Sequence, residues 1–73
     1  MKLDKVKQGK ANTVISEIRN LLLEQPELDK EILLGYMGDI LCQFDTDIAI
    51  EVMDEFGDEG REVSHGIKVR WGY

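Results

Sequence analysis

Seventy-three residues, 42% hydrophobic and 33% charged, describe one small soluble globular domain and exclude a fully disordered chain. One cysteine, Cys42, and one histidine, His65, exclude an internal disulfide and a closed zinc site of about four ligands, while the longest apolar run, Leu21 to Leu23, excludes a bilayer span of roughly 20 residues. The net charge of −6 is unevenly spread: Asp45, Asp47, Glu51, Asp54, Glu55, Asp58, Glu59 and Glu62 face one base, Arg61, and the rest of the chain sums to +1.

The first ten residues, MKLDKVKQGK, are polar and basic, with Gly9 as a weak point. They are expected as an N-terminal arm, frayed or forming an early extension of the first helix. Asn12 or Thr13 suits a helix N-cap, because its side-chain oxygen accepts from the free amides of the first turn. Val14, Ile15, Ile18, Leu21 and Leu22 then recur at helical spacing, predicting a helix from Asn12 to Glu24.

Pro26 closes that helix and opens the next, since proline expels its predecessor from the helical region but fits the first helical position. Leu28, Ile32, Leu33, Met37, Ile40, Leu41 and Phe44 form the apolar stripe of a second helix, Pro26 to Gln43. The short link predicts an antiparallel pair with the first helix. Gly35, Gly38 and Cys42 fall on one stripe of small side chains. Two glycines within a helix cost about 1 kcal/mol each relative to alanine, which calls for a reason: a close approach of another element, or a hinge.

Asp45, Thr46 or Asp47 caps a third, shorter helix whose inward residues are Ile48, Ala49, Val52, Met53 and Phe56, with Gly57 at its end. Asp58, Glu59 and Gly60 read as a turn. In the tail, Val63, His65, Ile67, Val69, Trp71 and Tyr73 alternate with polar or small residues, the signature of a half-buried strand over residues 62–73. A lone strand cannot satisfy its own backbone groups. It must turn into a hairpin around Ser64-His65-Gly66, pair with Met1 to Val6, pair with a second subunit, or add to another protein's sheet edge. The expected fold is mainly α: a single compact three-helix domain over residues 1–73 with a short C-terminal β-strand or hairpin.

No residue set reports a reaction. There is no GxSxG context and no glycine-rich phosphate cradle. An EF-hand loop begun at Asp45 or at Asp54 lacks the required acids and glycine, so neither register offers calcium a site. His65 reads as a core-edge or interface histidine and Cys42 as a packed thiol. No cofactor and no catalytic activity are expected, and the free thiol together with the lack of an export signal fits the cytoplasm.

What remains is charge. Dense carboxylates steer encounters with basic surfaces and can imitate the phosphates of nucleic acid. The expected function is therefore that of a small acidic protein that binds, and modulates or inhibits, a larger protein with a basic surface, for example a nucleic-acid-binding protein. Asp47, Glu51, Asp54, Glu55, Asp58 and Glu59 would make the electrostatic contact, with Phe56, Trp71 and Tyr73 as aromatic anchors. Small size, concentrated charge and the lack of a catalytic set resemble the general style of phage or mobile-element inhibitor proteins. Two alternatives stand beside it. One is a homodimeric structural or assembly protein joined through the small-residue groove or the tail, since a core this small rarely supplies more than roughly 3–5 kcal/mol. The other is a nucleic-acid binder using the N-terminal lysines and the basic-aromatic cluster Lys68, Arg70, Trp71 and Tyr73, which the acidic charge disfavours.

Overall fold

The computed structural model describes residues 3–73 and folds them into four helices: α1 (Lys5–Glu24), α2 (Lys30–Phe44), α3 (Thr46–Asp54) and α4 (Gly57–Trp71). The mainly helical class stands. The expected count of three helices and the C-terminal strand or hairpin do not, because no strand occurs among the described residues.

Three of the four helices begin on an aspartate whose carboxylate accepts first-turn amides. Lys7 N donates to Asp4 at 2.8 Å, Ile32 N to Asp29 at 3.1 Å, and Asp47 N and Ile48 N to Asp45 at 2.9 and 3.2 Å. Such caps contribute about 1 kcal/mol each and fix where a helix starts. Asp4 moves the start of α1 forward from Asn12, so residues 5–10 of the anticipated arm are helical, while Met1 and Lys2 lie outside the described residues. Asp29 moves the start of α2 back from Pro26, which sits in the turn between α1 and α2. Asp45 alone joins α2 to α3, ending one helix and capping the other.

α4 replaces the predicted tail strand. Asp58 and Glu59 occupy its first turn, Lys68 and Arg70 its last, so the charges at both ends complement the helix dipole. Gly72, at φ 77°, supplies the left-handed residue that closes the helix, and Tyr73 N donates back to Lys68 O at 2.8 Å. The buried face is Gly60, Ser64 and Ile67, spaced four and three apart. Two of those three side chains are small and not apolar, so an apolar alternation count passes over the helical period they carry. Gly57, at φ 71°, makes the corner between α3 and α4.

α3 is the centre of the fold and packs against the other three helices. Its expected inward residues Ile48, Ala49, Val52 and Met53 are buried, as is Ile50, and Phe56 beyond its end completes the set. α1 contributes Ala11, Ile15 and Ile18, α2 contributes Leu34, and α4 contributes Ile67. α1 and α2 do not form the expected direct pair: α1 packs on α3, while α2 packs on α3 and α4. Gly38 confirms close approach as the reason for one helix glycine, since a Cβ there would meet Val63 Cγ1 of α4 at 2.7 Å. Gly60 is more constrained still, because its Cβ would collide with the carbonyl oxygen of Met53.

Candidate interaction surface

Seven of the eight acids of the sequence cluster line four separate clefts, Asp45 among them in one between α1 and α2. Asp47, Glu51 and Asp54 lie on the outer ridge of α3, spaced four and three apart, and with Lys68 and Tyr73 line a cleft of about 250 Å³. Glu55 lines a second cleft with Arg19, Lys30 and the leucines near the α1–α2 link. Asp58 and Glu62 line a third beside Arg61 and His65.

Five of the eight carboxylates meet the protein's own bases. Lys7 lies 2.9 Å from Asp45 and 3.8 Å from Asp47; Arg19 lies 3.6 Å from Glu55, Lys30 lies 3.6 Å from Glu59, and Arg61 lies 2.6 Å from Asp58. Glu51, Asp54 and Glu62 have no ion-pair partner among the described residues. The hydrogen bond from Lys7, helped by the amides of Ile48 and Asp47, holds the Asp45 carboxyl below the usual carboxylate range, and Asp45 in turn raises Lys7. Arg61 does the same to Asp58. Exposed pairs like these stabilise little, but each one reduces the charge available to an outside base.

The aromatic residues separate. Phe56 is only 5% exposed and belongs to the core, so it is unavailable as a surface anchor. Trp71 and Tyr73 are exposed, and the Tyr73 hydroxyl donates to Asp47. Helix α4 also divides the basic-aromatic cluster: Arg70 turns to Asp39 at 3.4 Å, while Lys68 enters the acidic cleft. His65 is exposed, not at a core edge, because the strand that gave it an apolar face is a helix. Burial pushes the Cys42 thiol up, away from the thiolate that reactivity needs.

The surface that sequence reading missed is the outer face of α2. Ile32, Tyr36, Ile40 and Phe44, four residues apart in succession, are 58%, 67%, 49% and 82% exposed. The apolar stripe read from the sequence puts three of them, Ile32, Ile40 and Phe44, toward the core, and their exposure corrects that expectation. The side actually buried carries Leu34 and Gly38, with Leu33, Met37 and Leu41 half-buried at its edge. Thus α2 is apolar over most of its circumference, with Glu31, Asp39 and Gln43 on one polar stripe, while the fold covers only one side of it, so apolar side chains that a helix normally encloses stand open. Along one flank runs a groove of about 540 Å³ between α2 and α4, lined by Ile32, Gly35, Tyr36, Asp39, Val63, Gly66, Ile67 and Arg70.

Among the described residues, no group of three or more His, Cys, Asp or Glu side chains is placed to hold a metal ion, and no helix is long and apolar enough to cross a membrane. Comparison with protein families, with curated proteins and with solved structures finds no match to this chain.

Proposed function

We propose that this chain is a non-catalytic binding protein that modulates or blocks a larger protein, and that its contact surface is centred on the open face of α2. One observation carries the reading: four large apolar side chains in succession on one helix stand in solvent, next to a groove. Contiguous exposed apolar surface of this kind marks interaction sites on soluble proteins. Interfaces take their energy from such desolvated centres and their polarity from the rim.

Charge keeps a secondary role in this reading. The carboxylates of Glu51, Asp54 and Glu62, free of internal ion pairs among the described residues, favour approach to a basic partner surface and raise the on-rate. Binding strength comes from α2. A reducing cytoplasmic setting suits the free Cys42 thiol.

The test is affinity capture from the native cell with three baits: the unaltered chain, the Ile32→Glu/Ile40→Glu variant, and the Glu51→Lys/Asp54→Lys variant. The α2 variant is expected to lose the captured protein while the acid-reversed variant keeps it at reduced yield. Capture that survives the α2 changes and vanishes on acid reversal would transfer the contact to the acidic ridge.

A further inference from the structure

We infer that a second copy of this chain occupies the open face of α2, giving a twofold dimer in which each copy's Tyr36 crest enters the other's α2–α4 groove. The inference rests on the reading of α2 as the contact face and assigns that face, in the free protein, to a second copy that a larger partner has to displace.

Charge supports it first. Two copies that each carry −6 repel, and the repulsion is least where they meet at a face without net charge. The groove between α2 and α4 is lined by one acid and one base, Asp39 and Arg70, paired at 3.4 Å, and otherwise by uncharged residues. Its net charge is zero, so two copies meet there without the like-charge penalty that the acidic clefts impose.

Shape supports it second. A twofold contact needs one patch that is complementary to itself, a ridge lying next to a groove. Here the ridge is Ile32, Tyr36 and Ile40, and the groove lies directly beside it. On the groove's two walls stand Gly35 and Gly66, both inside helices, and a Cβ at either would meet nothing within 4 Å. Unlike Gly38 and Gly60, they answer no packing need within the chain. An incoming side chain from outside gives them one, since a bare backbone deepens the groove.

Area supports it third. Tyr36 leaves 67% of its surface open, which for an aromatic residue amounts to roughly 150 Å². Ile32, Ile40, the half-buried Leu33 and Met37 and the groove walls extend the face toward the roughly 800 Å² per partner of a standard interface.

Sedimentation equilibrium of the full chain tests this, at micromolar concentration and at low and high salt. The expected result is a species of twice the 8.4 kDa chain mass, with a dissociation constant that falls as salt screens the repulsion between the two acidic chains. Gly35→Leu places a Cβ that has no atom of its own chain within 4 Å and extends into the groove, and is expected to weaken the dimer about tenfold or more while helicity is retained. Gly66→Leu, on the opposite wall, gives the same readout should the first variant fail to fold. Gly9→Leu, another open helix glycine but on α1, is expected to leave the dimer intact. A chain that stays monomeric at every concentration overturns the inference, as does a dimer that neither groove variant weakens. The first of those outcomes leaves the α2 contact face standing if the Ile32→Glu/Ile40→Glu bait still loses its capture.

Discussion

The Tyr73 hydroxyl donates to the Asp47 carboxylate at 2.5 Å and so pins the end of α4 to the start of α3. Lys7 reaches the same carboxylate and, more closely, that of Asp45, so one polar cluster ties α1, α3 and α4 together beside the central helix. Tyr73→Phe removes the one side-chain hydrogen bond that Tyr73 makes among the described residues. Global unfolding is expected to move little, because the contact is exposed, but amide exchange in the last turn of α4 should accelerate. Unchanged exchange there would show that the bond does not restrain the terminus.

The same cluster sets a pH dependence at both ends of the scale. The hydrogen bond from Lys7 lowers the Asp45 carboxyl, so its contribution is present above about pH 4 and disappears as pH falls through the lowered value. Tyr73 and Lys7 are raised, first by their hydrogen bonds to Asp47 and Asp45. Their contributions are present below about pH 10 and disappear as pH rises through the raised values. Urea midpoints are expected to form a plateau between these limits, and Asp45→Asn should flatten its acid edge. Asp45→Ala should also cost about 1 kcal/mol at neutral pH through the lost α3 cap.

Glycine-to-alanine changes should separate by position. Gly60→Ala drives a Cβ into the Met53 carbonyl, where backbone cannot give way, and is expected to reach or exceed the upper end of the about 1–3 kcal/mol typical of overpacking. Gly9→Ala meets nothing and should stabilise by about 1 kcal/mol through helix propensity. Thermal unfolding of the two variants checks the contrast, and equal effects would contradict the close α3–α4 approach.

Ser64 is 1% exposed and its hydroxyl has no partner among the described residues. Burying an unpaired hydroxyl costs free energy that alanine does not incur. Ser64→Ala is therefore expected to raise stability by up to about 1 kcal/mol in urea unfolding. A clear loss of stability would mean that the hydroxyl is bonded in solution.

Much of the helical architecture can be read from residues in order, and the places where it cannot share one cause. The inward face of α3 is legible because Ile48, Ala49, Val52 and Met53 are apolar at helical spacing and are all buried. α4 is not, because Gly60 and Ser64 carry its buried period with small side chains while exposed Val69 and Trp71 supply a misleading alternation. α2 is recognisable as a helix, yet its orientation is not. An apolar arc wider than the buried face leaves the inward direction open, and only the placement of α3 and α4 decides that Leu34 goes in and Tyr36 stays out. How much of the acidic cluster stays unpaired is not legible in the sequence for a related reason. Charge along a sequence ignores which bases fold back onto it, and Lys7, Arg19 and Lys30 reach Asp45, Glu55 and Glu59 from two other helices.

In-cell photo-crosslinking from two positions, Tyr36 on α2 and Glu51 on α3, tests most directly which face meets another protein. A photoreactive side chain at Tyr36 is expected to give a discrete adduct, and one at Glu51 little or none. Adduct formation confined to Glu51, with Tyr36 silent, would contradict the assignment of α2 as the contact surface.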